Sequence, residues 1–205
     1  MVFVLRTGVP WRDLPGFFGP WSSVYTRYRR WCREGLFAAL LAALARQAKG
    51  VLRHLDCSHI KLHQHAANPA GGQAAQAIGR TRGGLNTKLA AVVDARGKAL
   101  AVALAVGQQH DLKAVQPILH QLRGGRVVAD KAFASGVFYR QVCHHGADAC
   151  LPAKRREHHP APFHRGYYRC RHRIENFFAR IKCFRRISTR YDKLAAIIDW
   201  LARPF

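Results

Sequence analysis

Acidic residues are scarce in this chain: eleven Asp and Glu stand against thirty-four Lys and Arg in 205 residues. The formal charge is +23 before any histidine protonates, and the pI is near 11.0. A surface so one-sided repels itself unless a polyanion neutralises it, which makes nucleic acid the expected partner. Twenty-five of the cations are Arg, which suits forked contacts to phosphate better than Lys does. Long apolar runs are missing too. The longest, residues 36–45, is about half of the ~20 residues a membrane span needs. No charged leader followed by a cleavage site opens the chain, so no signal peptide is seen and a cytoplasmic protein is expected. The six cysteines (Cys32, Cys57, Cys143, Cys150, Cys170 and Cys183) include no Cys-x-x-Cys pair. They read as reduced, half-buried thiols, and neither a disulfide framework nor structural zinc is expected. Repeats and low-complexity segments are absent. Against these absences, 49% apolar residues are enough to bury a real core, which excludes a disordered basic tail.

Residues 1–49 read as a helical N-terminal unit. Trp11-Arg12-Asp13-Leu14-Pro15 signals a turn, and Pro20 can open a helix at its first position. Trp21, Val24, Tyr25, Tyr28, Trp31 and Cys32 recur at three- and four-residue spacing and form one apolar face. Arg27, Arg30 and Arg33 lie on the other side. Gly35 breaks the pattern, and residues 36–49 form a second helix ending at Gly50. The pair is either a packing unit with a solvated basic face or a DNA-binding element.

From Val51 the pattern changes. Residues 51–62 alternate as a strand, and residues 66–84 read as an exposed basic loop carrying Arg80 and Arg82. Residues 87–95 and 98–106 form a hairpin about Arg96-Gly97. A helix over 112–122, a strand over 126–130, a helix over 135–145 and a strand over 147–151 follow. A basic loop spans 154–166, a long helix about 167–184, and a last helical piece lies near 194–201. The order predicts an α/β fold in which a mixed five-stranded sheet is flanked by helices.

With so few acids, each position can be weighed. Asp56 sits mid-strand between Leu55 and Cys57, where a charge is costly to bury unless paired or holding a metal. Asp130 ends the strand that contains Val127-Val128-Ala129, at a sheet edge where active sites of open α/β folds gather. Glu175 lies beside the stripe Ile174, Phe177, Phe178 and Ile181 on a helix. If the first strand and the Asp130 strand are neighbours, their carboxylates come side by side and the helix adds a third. Three converging carboxylates suit hard divalent cations, which can clamp a displacement at phosphorus. Asp13, Glu34, Asp94, Asp148, Glu157, Asp192 and Asp199 read instead as surface ion-pair partners, and Asp111 as an N-cap. His54, His59, His63 and His65 read as half-exposed polar positions.

These residues resemble the DDE transposases of bacterial insertion sequences, in particular the insertion-sequence-five family. Tyr168, Arg171, Glu175 and Lys182 keep the spacing of that family's Tyr, Arg, Glu, Lys signature. The segment Arg185-Arg186-Ile187-Ser188-Thr189-Arg190-Tyr191-Asp192-Lys193-Leu194 looks like the one that follows it, and residues 5–15 resemble the amino-terminal signature. Residues 63–67 and 78–85 resemble two further family segments. The resemblance implies an RNase H-like catalytic domain over 50–205 behind an N-terminal helical DNA-binding extension over 1–49. It implies Mg²⁺ or Mn²⁺ on Asp56, Asp130 and Glu175, nicking at the element's terminal inverted repeats, and attack of the freed 3′-hydroxyl on target duplex DNA. A homodimer on DNA is expected. Helical spacing puts Tyr168, Arg171 and Lys182 broadly on one side, with Arg171 and Lys182 at phosphates and Tyr168 orienting DNA. Two departures stand out. Ala132 follows Asp130-Lys131 where the family more often has Gly, a residue with greater backbone freedom. The chain also begins almost at Arg6-Thr7-Gly8, and its end looks shortened, so the alternative is a truncated, inactive DNA-binding remnant.

Overall fold

The computed structural model describes residues 1–48, 50–153 and 163–196. Its centre is a sheet around two eleven-residue strands, β1 (Leu52–Leu62) and, after the short β2 (Gly79–Thr81), β3 (Gly84–Asp94). These two run antiparallel, from Arg53 opposite Asp94 to Lys61 opposite Asn86. The chain turns back through residues 95–98 into β4 (Ala99–Val106), antiparallel to β3. Asp94 builds this turn: its carboxylate accepts the Arg96 and Lys98 N–H groups, and Gly97 takes a left-handed φ of 75°. The expected hairpin is therefore present, with a longer turn. Asp94 is a buried turn residue, not a surface ion-pair partner.

Beyond β1 lie two parallel strands, β5 (Arg126–Val128) and β6 (Asp148–Cys150). Three antiparallel strands followed by two parallel ones match the mixed sheet expected from the element order. The strand count differs. Among the described residues the sheet has seven strands, because β2 pairs with the start of β3 and β7 (Thr189–Arg190) with the end of β1. These two share lanes with β4 and β5, so there are five lanes. Runs of two and three residues are too short for alternation to reveal them. The basic loop read over 66–84 accordingly contains β2, with Arg80 on it.

Three helices precede β1: α1 (Val2–Thr7), α2 (Trp21–Arg33) and α3 (Leu36–Arg46). The first was not expected from periodicity, and Pro20 sits just before α2, not inside it. Val4, Leu5, Trp11, Leu14, Tyr28 and Leu41 join Ile60, Leu89, Ala91 and Val93 in one apolar cluster on one sheet face. On the other face Leu55, Ala90 and Val92 pack with Phe133, Phe138 and Val142, the last two from α5 (Gly136–His144). The helix expected over 112–122 is one turn, α4 (Asp111–Ala114), followed by a 3₁₀ segment, Gln116–Leu122. Pro117 lacks the N–H that continued α-helix would need.

The long helix expected over 167–184 is two helices, α6 (Arg165–Arg169) and α7 (His172–Lys182). Tight i→i−3 bonds from Cys170 to Tyr167 and from Arg171 to Tyr168 separate them. Ile174, Phe177, Phe178 and Ile181 form the buried stripe of α7 beneath the first cluster. Residues 154–162 of the expected basic loop, and most of the helical piece near 194–201, lie outside the described residues.

After α8 (Arg185–Ser188) the chain is fastened to its own beginning. Arg186 donates to the Val9 carbonyl at 2.8 Å and to Asp192 at 2.9 Å, and its guanidinium lies 5.7 Å from the Trp11 ring centroid. Gly8, with φ 78°, leaves no room for a side chain: an added Cβ would stand 2.9 Å from Arg185 Cβ. Arg190 is fully buried and donates to the carbonyls of Gln76, Asp192 and Lys193 and to Thr87 Oγ1. Asp192 is thus a buried partner and not the surface acid expected.

Candidate active site

Alternation along β1 puts His54, Asp56, Ser58 and Ile60 on one face, the face that α7 covers. Asp56 Oδ1 accepts its neighbour's N–H, from Cys57, at 2.8 Å. Asp56 Oδ2 accepts from Arg171 Nη1 at 3.0 Å. The other arm of that guanidinium, Nη2, donates to Glu175 Oε1, one helical turn along α7. One cation therefore joins a carboxylate from the central strand to a carboxylate from the covering helix. Burial raises the Asp56 pKa, with the Cys57 N–H and Arg171 pulling the other way and the Asp130 and Asp111 charges adding to the rise. Burial works to lower the Arg171 pKa, but the Asp56 and Glu175 charges prevail and raise it.

Asp130 lies two residues past β5, not at the end of its ladder. Because β5 runs beside β1, with Val128 level with His54, the chain continues from there toward the level of Asp56. The Asp130 carboxylate accepts the Ala132 N–H and caps a 3₁₀ turn, Lys131–Phe133. Ala132 is not strained: among the described residues, Ala77 alone of the non-glycines has positive φ. Lys182 Nζ donates to Ser58 Oγ at 2.5 Å, and burial lowers its pKa. Tyr168 is half-buried with its ring 5.3 Å from that of Phe163.

The structure thus brings Asp56 and Glu175 together through Arg171, with Asp130 within electrostatic reach of Asp56 and Arg171. No group of three or more His, Cys, Asp or Glu side chains is assembled to hold a metal ion among the described residues. Arg171, expected at a phosphate, is on carboxylates instead. The exposed Arg27, Arg30, Arg80 and Arg82 stand elsewhere on the surface. Arg27 and Arg30 line a hollow of about 390 Å³ with Ser22, Ser23 and Thr26, and Arg30 also faces Glu34 at 3.8 Å.

Two charged groups near the site, Lys88 and Asp111, form a pair that sequence reasoning missed. Lys88, nearly fully buried on the opposite face of the sheet, donates to Asp111 Oδ1 at 2.6 Å and to the Gln109 carbonyl. A lysine inside the apolar run 87–95 was the available signal, since a buried ammonium needs a partner. Asp111 is consequently not the N-cap expected. His110 Nδ1 takes that place, accepting the Leu112 N–H at 3.3 Å. His54 departs furthest from its half-exposed expectation. It is fully buried, with no hydrogen-bond partner on either ring nitrogen among the described residues, and burial, then Arg173 and His172, lower its pKa to about 4. His59 is exposed, its Nδ1 3.0 Å from Asn86 Oδ1.

Comparison with known proteins decides the family. Residues 48–202 match the model of the transposase DDE domain, and residues 1–41 match that of an IS4/5-family transposase (DUF4096). The chain belongs to the transposases with a DDE domain. Over 67 residues this transposase is 39% identical to the uncharacterised protein y4sN of Sinorhizobium fredii (strain NBRC 101917 / NGR234). That stretch is 33% of the chain, and it spans only 54% of the relative. No solved structure matches. Among the described residues, no helix of the transposase is long and apolar enough to cross a membrane.

Proposed function

We propose that this transposase cuts duplex DNA at the ends of an insertion sequence and joins the freed 3′-hydroxyl to target DNA, with Asp56, Asp130 and Glu175 holding Mg²⁺ or Mn²⁺. The observation that carries the reading is the shared guanidinium: Asp56 and Glu175 converge on one positive group from elements 115 residues apart at Arg171. The lane order supports an RNase H-like catalytic domain, with the first acid on the central strand, the second beyond its parallel neighbour and the third on the helix above. The donor chemistry fits the ion, since hard divalent cations take carboxylate oxygen and Asp56 is half-buried with cationic compensation already in place.

A divalent ion bound there supplies Lewis-acid activation at phosphorus and charge stabilisation of the leaving oxygen. The protein's own side chains do the rest. Lys182, at the end of α7 and against Ser58, offers a cation to a phosphate beside Asp56. The exposed Arg27, Arg30, Arg80 and Arg82 hold more distant phosphates, and the α2 face is the helical DNA-binding extension. Tyr168 orients a nucleotide near the α6–α7 turn. A homodimer on DNA would present two such sites to the two terminal repeats.

Asp130→Asn tests the reading on a duplex carrying the element's terminal DNA. Metal-dependent nicking should disappear, while DNA affinity stays equal or rises because a negative charge near phosphate is gone. Nicking by this variant in Mg²⁺ would reject the carboxylate assignment. Binding should weaken steeply with salt, by about 0.9 log units of affinity per log unit of salt for each phosphate neutralised. If the unaltered chain binds in this way but never nicks, the DNA-binding remnant is the correct reading.

A further inference from the structure

We propose that Arg171 is a built-in counter-cation that DNA removes: without DNA its guanidinium holds the Asp56 and Glu175 oxygens against a divalent ion, and a DNA phosphate draws it away. Metal and DNA then bind cooperatively. The inference rests on the reading of Asp56 and Glu175 as cation ligands.

The geometry supplies the competition. Nη1 of Arg171 occupies Oδ2 of Asp56 at 3.0 Å, and Nη2 occupies Oε1 of Glu175. A divalent ion seeking both carboxylates meets one obstacle, because a single side chain satisfies the pair. Arg171 cannot step aside by losing its proton, since a guanidinium stays charged throughout the working pH range. It has to move.

Its surroundings permit that movement. Arg171 lies at the turn between α6 and α7, and among the described residues its guanidinium bonds only to side chains. Its own side chain is 21% exposed and that of Glu175 is 52% exposed, so solvent reaches the contact. A duplex approaching Asp56 brings a phosphate that the same planar fork matches in two-pronged fashion. Transfer of the fork from carboxylates to phosphate leaves two carboxylates without a counter-charge at the moment when substrate arrives. Affinity for a cation is then highest where DNA is present. By linkage, the factor by which DNA tightens metal binding equals the factor by which metal tightens DNA binding.

The test is a Mn²⁺ titration followed by the electron paramagnetic resonance of the free ion. It uses the full chain with and without terminal duplex, after subtracting ion bound by duplex alone. The unaltered protein should bind Mn²⁺ about 5- to 150-fold more tightly with DNA than without it. Arg171→Gln should bind Mn²⁺ more tightly than the unaltered protein in the absence of DNA, and adding DNA should change little. Arg171→Lys, which keeps the charge but cannot fork, should shift in the same direction by a smaller factor. It carries the test if the glutamine variant fails to fold. Equal Mn²⁺ affinity of the unaltered and variant proteins without DNA would overturn the proposal. Adding Asp56→Asn and Glu175→Gln to the variant separates the two ideas: Mn²⁺ binding that survives there rejects the carboxylate reading itself, not the counter-cation alone.

Discussion

Two arginine–carboxylate arrangements in this molecule look alike in sequence and differ in kind. Arg171 bridges Asp56 and Glu175 at a half-exposed turn through side chains alone among the described residues. Arg186 and Arg190, fifteen and nineteen positions later, are buried and held largely by main-chain carbonyls, with Asp192 between them. A guanidinium tied to backbone cannot leave without unfolding its surroundings. One tied only to side chains can exchange them for another anion. The first arrangement is suited to function and the second to holding the chain together.

That contrast can be broken or sharpened by substitution. The largest effect is expected at Asp192→Ala, which strands the Arg186 guanidinium in the interior. Urea unfolding should show a loss of about 3–5 kcal/mol, the range for a buried pair deprived of one partner. Next comes His54, a buried imidazole on the Asp56 face with Arg173, His172 and Asp94 around it. Its folded pKa of about 4 is below the ordinary 6.5, so the unfolded chain takes up the proton first. The His54 contribution is complete above pH 6.5 and declines as the pH falls toward 4, by about 3 kcal/mol in all. His54→Leu should flatten the stability profile over that interval. The smallest change is expected at Arg171→Gln, which should cost less than Asp192→Ala because Glu175 is 52% exposed and solvent reaches the contact. A loss there as large as that at Asp192 would erase the distinction.

The three candidate acids were picked out because acids are rare here: Asp56 interrupts an apolar strand and Asp130 follows one. The five main strands were legible because β1, β3 and β4 are long enough to show their pattern and β5 and β6 are compact apolar runs. Arg171 was placed on the segment facing Asp56, but its two carboxylate partners went unseen: helical spacing says which residues share a side but not which anion is nearest. The break between α6 and α7 left no glycine or proline as a marker, and β2 and β7 exist only because longer strands offer them an edge. His54 shows the same limit. Nothing local distinguishes it from His59, yet sheet register and the cover of α7 bury one and leave the other in water. The N-terminal helices read as a unit by themselves, but their apolar residues share a cluster with α7 and β3.

The clasp from Arg186 to the Val9 carbonyl carries a geometric implication. It joins the start of the chain to the segment that follows α7, so the exposed arginines of α2 are held at a set distance from Asp56. Any polyanion spanning both is measured by a rigid ruler, and the length between its gripped and addressed positions is written into tertiary structure and not into a flexible tether.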